Sequence, residues 1–190
     1  VTRNCSWNRC EFCTMYPGAK LEIRSVDEVK SDIRAMKKHA DEIKAYALKT
    51  GNINNVGMVA RANGVYWLSE GDVKNVFIAD SNSVIIKTED LVEILKYLYE
   101  TFPTIERVTS YARGKTLAKK TLDELKMLRE AGLTRVHVGL ETGDAELLKI
   151  IQKGATPEEM IQGGKKAIEA GFELSMYVMP GLGGREMWEQ

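Results

Sequence analysis

The sequence predicts an α/β fold: a partial (β/α)6-type barrel, with parallel strands inside and helices outside. Three observations predict it. Short apolar strands alternate with capped helices. Two helix-to-strand junctions are near copies, Glu130-Ala131-Gly132-Leu133 and Glu169-Ala170-Gly171-Phe172. The strands carry one apolar and one polar face, whereas strands covered by helices on both sides are apolar on both. The polar face is therefore expected to line a cavity, with the active site at the C-terminal strand ends.

The elements follow in chain order. Val1-Thr2-Arg3 reads as the stub of a first strand leading into the cysteines. Ser25 with Glu28 is a capping box, in which hydroxyl and carboxylate satisfy free N–H groups at a helix start. Residues 46–74 break the alternation with Gly51, Gly57, Gly64 and Gly71 around Tyr66 and Trp67. They are expected to be an insertion between the first helix and the second strand, either a surface excursion or a lid. Further strands are predicted at 75–79, 105–111, 134–140 and 172–178. Val136, Val138 and Leu140 share one face, opposite His137, Gly139 and Glu141; Phe172, Leu174, Met176 and Val178 oppose Glu173, Ser175 and Tyr177. Thr121 with Glu124, and Thr156 with Pro157 and Glu159, start two more helices. Gly132 and Gly171 end helices, because glycine tolerates the left-handed cap. A six-stranded barrel needs one more strand after Gln190. Residues 1–190 thus read as one incomplete core domain of a longer protein.

Composition limits the function. Hydrophobic residues make up 44% of 190 and charged residues 28%, an ordinary globular balance. Lys plus Arg number 27 and Asp plus Glu 27, so charge does not indicate nucleic acid or an acidic membrane. Lys37-Lys38 and Lys119-Lys120 sit beside acids and read as solvated faces. No apolar run approaches a membrane span, and no signal peptide is visible, although a chain opening on Val1 leaves room for a missing leader.

All three cysteines lie within nine residues. So short a loop strains a disulfide and leaves one thiol over. A metal site in a reducing, cytoplasmic compartment is the better reading. The segment Cys5-Ser-Trp-Asn-Arg-Cys10-Glu-Phe-Cys13 has the spacing C-x4-C-x2-C. Zinc favours four ligands, and only His39 and His137 could add a nitrogen, each far along the chain. Iron–sulfur clusters are held by thiolates, and three leave one iron of a four-iron cube open. Structural zinc remains the alternative.

This loop, with Phe12 before its last cysteine, resembles that of the radical S-adenosylmethionine superfamily. Ala79-Asp80-Ser81-Asn82 follows the second strand, where that family has a glycine-rich or polar motif. Gly139-Leu140-Glu141-Thr142-Gly143 and the following Lys153-Gly154 are similar to the elongator-type, methylthiotransferase and coproporphyrinogen-oxidase-like branch. Met179-Pro180-Gly181-Leu182-Gly183-Gly184 resembles the family's turn near the adenine. Two features depart from it. The first cysteine spacing is one residue longer than usual, and Asp80 replaces the family's Gly-Gly-Glu.

The resemblance implies a 4Fe-4S cluster on Cys5, Cys10 and Cys13 and S-adenosylmethionine bound at its open iron. One electron, from a small donor protein of flavodoxin or ferredoxin type, breaks a sulfur–carbon bond. The 5′-deoxyadenosyl radical then abstracts hydrogen from an unknown substrate. It implies that Phe12, Asp80, Ser81 and Glu141 lie at the cofactor. Ser110 and Arg113 follow the third strand and either hold the cofactor's carboxylate or ribose or serve as a cap and a surface charge. His137 reads as a core histidine or a proton donor. A tRNA-modifying or tetrapyrrole-oxidising member, and a non-catalytic metal module, are the other readings.

Overall fold

The computed structural model describes residues 1–187. It opens on a short antiparallel ribbon, β1 (Thr2–Arg3) against β2 (Glu22–Ile23), which closes the loop that carries the cysteines. The sequence reading put Val1-Thr2-Arg3 in the barrel. The structure instead pairs Thr2 with Ile23 and Arg3 with Glu22, so this stub's ladder is spent on its own loop.

Helix α1 (Val26–Lys49) starts at the Ser25–Glu28 capping box and buries Val29, Ile33, Ala40 and Ala47 along one stripe. Residues 46–74 then fold as the end of α1, helix α2 (Val56–Ala62) and two single 3-10 turns. Ala60, Leu68 and Val73 from this segment join the main core. A Cβ on Gly57 would stand 2.1 Å from the Ser69 carbonyl oxygen, so two backbones touch where only glycine fits. The segment thus packs part of its length into the main core, with Tyr66 and Trp67 left exposed.

Next come β3 (Asn75–Ile78), α3 (Thr88–Thr101), β4 (Arg107–Ala112), α4 (Gly114–Lys119), α5 (Leu122–Glu130), β5 (Leu133–Glu141), α6 (Ala145–Ile150), α7 (Pro157–Glu169) and β6 (Glu173–Val178). The four long strands form one parallel sheet in the order β3-β4-β5-β6, the open arc of a barrel. The boxes at Thr121 and Thr156 are both formed. Strand β4 starts two residues later than predicted, because Ile105 is held in a turn by the Phe102 carbonyl.

The faces divide as the alternation predicts. Val136 stands beside Leu174 and Val138 beside Met176; His137 stands beside Ser175 and Arg135 beside Glu173. The apolar side meets the helices, where Leu95, Leu125, Leu128 and Val136 are fully buried. Burial of each such side chain contributes about 1.5–3 kcal/mol. Near its end β5 slips register between Gly139 and Glu141, and Glu141 takes a left-handed φ of 66°. Leu140 keeps to the helix side, lining a groove with Met160, Leu174 and Met176, while Glu141 faces the cavity.

Candidate cofactor site

The cysteine loop is pinned at both ends. Asn4 and Asn8 adopt positive φ, which asparagine tolerates. The Asn8 side chain donates to the carbonyls of Tyr16 and Ala19, closing the loop on itself. Toward β3, the Asn4 amide donates to Asp80 Oδ2 at 2.7 Å and the Ser81 hydroxyl to the Asn4 carbonyl at 3.1 Å. Asn82 Nδ2 donates to Ser6 Oγ at 3.1 Å. Toward α6, the Glu11 amide donates to the Ile151 carbonyl at 3.0 Å. A tight turn, Cys13 N–H to the Cys10 carbonyl at 3.0 Å, draws the last two cysteines together.

All three cysteines are free thiols on one cavity of about 510 Å³. Phe12, Asp80, Ser81, Arg113 and Glu141 line the same cavity. The structure therefore brings together eight of the nine site residues expected from sequence. Burial opposes the Cys5 thiolate, but the Trp7 and Asn8 amides and the Ser81 hydroxyl outweigh it and hold the thiol below its ordinary value. Burial pushes the Cys10 thiol up, against the pull of Lys153 and Arg113.

Ser110 is the exception. It is fully buried, pairs in register with Val136, and donates to the Tyr111 carbonyl at 3.1 Å. It faces the helices, and its neighbour Tyr111 takes the cavity side. His39 is exposed beside Glu42 on α1, while His137 lines the cavity.

Asp80 is a stitch. Its two oxygens accept from Asn4, from the Tyr16 hydroxyl at 2.5 Å and from the Ser81 amide at 3.1 Å. The Asp80 hydrogen bond is the main cause that raises the Tyr16 phenol to about 12. Glu141 is the cavity's other acid. Lys153 Nζ donates to its Oε1 at 2.6 Å, and its Oε2 accepts nothing from the described residues. Gly139 makes space for this pair: a Cβ there would lie 2.2 Å from Glu141 Oε1 and 2.9 Å from Lys153 Nζ.

Arg113 and Trp7 were not both legible. Arg113 Nη2 donates to the Lys153 carbonyl at 2.7 Å, and its guanidinium lies 5.2 Å from the Trp7 ring. Burial lowers the Arg113 pKa, with Cys5 and Cys10 pulling it back up. Trp7 Nε1 donates to the Gln152 carbonyl at 2.6 Å, and the ring covers Gly154, where a Cβ would be 2.3 Å away. Trp7 gave no sequence signal beyond its place between two cysteines. Lys153 did, through its likeness to the family.

Three thiols on one cavity, supported by amide donors, suit an iron–sulfur cluster. Among the described residues no three His, Cys, Asp or Glu side chains converge as a single-ion site.

A family model, the Radical SAM superfamily, matches residues 1–189. The chain belongs to the radical SAM superfamily. A GTP 3′,8-cyclase of Listeria monocytogenes is 37% identical over 91 residues, 47% of this chain and 26% of the relative. The heme chaperone HemW of Bacillus subtilis is 24% identical over 126 residues, 66% and 33% of the two chains. The chain thus spans about a quarter to a third of these relatives. The cobalamin-dependent S-adenosylmethionine radical enzyme OxsB superposes with a TM-score of 0.64 at 16% identity, covering 94% of this chain and 23% of that one. Coproporphyrinogen III oxidase of Escherichia coli gives 0.51 at 15%, covering 93% and 34%. At such identities the radical SAM barrel fold is what is shared. Among the described residues no helix is long and apolar enough to cross a membrane.

Proposed function

We propose that this chain is the core of a radical SAM enzyme that holds a 4Fe-4S cluster on Cys5, Cys10 and Cys13 and cleaves S-adenosylmethionine reductively. The observation that carries the reading is the shared cavity of three free thiols, with Glu141 and Lys153 at the strand end beside them. When bound, the cluster would supply the electron that breaks a sulfur–carbon bond and leaves a 5′-deoxyadenosyl radical to abstract hydrogen from substrate.

The chain's own residues do the rest. Glu141 and Lys153 present opposite charges to the cavity, matched to the ammonium and carboxylate of a zwitterionic cofactor. Glu141 Oε2 is the oxygen left for a ligand donor. Asp80 ties the loop to the end of β3, with its oxygens accepting from Asn4, Tyr16 and Ser81 at the cavity wall. Arg113 places positive charge near Cys5 and Cys10, which favours their thiolates. We assign the electron supply to a small flavodoxin- or ferredoxin-type protein, and the setting to a reducing cytoplasm that keeps the thiols free.

The test is anaerobic reconstitution of the full-length protein with iron and sulfide. A brown protein that forms 5′-deoxyadenosine with dithionite is expected. Cys5→Ser, Cys10→Ser and Cys13→Ser should each lose the four-iron cluster, because a hydroxyl is a poor ligand for iron. A colourless zinc protein, or a cluster that makes no 5′-deoxyadenosine, overturns the proposal.

A further inference from the structure

Four rings stand on the cavity side of four successive strands: Phe77 on β3, Tyr111 on β4, His137 on β5 and Tyr177 on β6. Their centroids run 4.8 Å from Phe77 to Tyr111, 5.9 Å from Tyr111 to His137 and 5.4 Å from His137 to Tyr177. Tyr177 stands opposite Gly139, which has no side chain to block it, and its hydroxyl bonds His137 Nδ1. That bond fixes both rings.

This wall continues the cofactor cavity, since Tyr111, His137 and Tyr177 line it together with the cysteines. Yet Phe77, Tyr111 and Tyr177 remain 44%, 37% and 42% exposed. Adjacent aromatics left open on one sheet face mark a binding surface more than a core.

A cation lies beyond the rings. Arg135 shares the His137 face two residues earlier, and its Nε is buried without a hydrogen-bond partner among the described residues. It is near enough to influence the titration of both His137 and Tyr177. Glu173 stands opposite Arg135 but pairs with Arg107, which leaves the Arg135 guanidinium without an ion-pair partner among the described residues.

We propose that this wall is the substrate side of the cavity and takes a planar conjugated molecule bearing a carboxylate or phosphate. The ring lies against Tyr111 and Tyr177, and the anion meets Arg135. Aromatic faces favour a flat π-system over a saturated ring of the same size, and a guanidinium favours a planar oxyanion. The proposal rests on the cavity being the cofactor site and adds the substrate class.

The experiment uses full-length, cluster-loaded protein already shown to form 5′-deoxyadenosine, so a failure here leaves the cleavage reading standing. With S-adenosylmethionine present, three planar anions of increasing size are titrated by calorimetry: indole-3-acetate, guanosine monophosphate and protoporphyrin IX. For each planar anion that binds, a saturated or neutral counterpart is run, such as cyclohexylacetate or indole-3-acetamide. At least one planar anion should bind about tenfold more tightly than its counterpart. Arg135→Gln should remove the preference for the charged over the neutral form. Tyr111→Leu should weaken binding about tenfold, while Tyr111→Phe, which keeps the ring, should not. Absence of binding by all three anions at millimolar concentration overturns the proposal. So does binding that Arg135→Gln and Tyr111→Leu both leave unchanged.

Discussion

Lys153 and Glu141 form a nearly buried ion pair, Nζ to Oε1 at 2.6 Å, with only 10% and 9% of their side chains exposed. The acid comes from a strand end in left-handed backbone, a conformation unusual for glutamate. The Met179 amide holds that conformation by donating to the Glu141 carbonyl at 2.9 Å. The lysine comes from the turn after α6 and also lies 5.8 Å from the centroid of the Phe12 ring, so it links the strand end to the cysteine loop. A strained backbone and a desolvated pair at a cavity wall are features that cluster at functional sites.

Removing the lysine tests the pair. Lys153→Met leaves the Glu141 carboxylate buried without its partner, at a cost of about 3–5 kcal/mol. Adding Glu141→Leu should restore most of that stability. Urea unfolding of the two variants and the parent measures it. A single variant as stable as the parent would show that the carboxylate is hydrated, not paired.

Glu141→Gln keeps the shape and removes the charge. It should retain iron and sulfide but bind S-adenosylmethionine about ten- to over one-hundredfold more weakly, the worth of a charged hydrogen bond of roughly 1.5–3 kcal/mol. Calorimetry on anaerobic, cluster-loaded protein gives the comparison. Unchanged affinity would make Glu141 a structural acid.

Gly139→Ala attacks the same pair from beneath. Its methyl would stand 2.2 Å from Glu141 Oε1, so the carboxylate must move. We expect a stability loss of about 1–3 kcal/mol, the usual cost of overpacking. Cofactor affinity should fall as in Glu141→Gln. Wild-type affinity in this variant would show that the pair can shift without consequence.

Acid stability reports on Glu124. Hydrogen bonds from the Thr121 amide and the Thr88 hydroxyl are the leading causes that hold its carboxyl down to about 2. Because the folded pKa is depressed, its contribution is full above the ordinary value of about 4.5 and is lost as pH falls toward about 2. Glu124→Gln should therefore melt lower than the parent at neutral pH, with the gap narrowing through that window. A gap that stays constant down to pH about 2 would rule out the linkage.

The features legible in the sequence are those set by near neighbours along the chain. Each capping box joins a residue to one three positions on, so Ser25, Thr121 and Thr156 declared their helices. Strand alternation put His137, Gly139 and Glu141 on the cavity side, and the register slip preserved that choice. The same alternation in β4 puts Ser110 on the side of buried Val108, away from the cavity. The cysteine spacing alone set the expectation of a metal site, because three thiols on one short loop have few other uses.

Tertiary structure decided everything that joins distant segments. Asp80 meets Asn4 across 76 positions, and this makes a residue of the cavity wall a clamp of the cysteine loop as well. Lys153 reaches Glu141 only because a left-handed residue and a side-chain-free Gly139 leave room for both. The aromatic wall takes one ring from each of four strands, so no local pattern announces it. A sequence fixes which faces are apolar, since that follows from backbone geometry. Which polar group meets which depends on strand order, register and close backbone approach, and those exist only once the chain has packed.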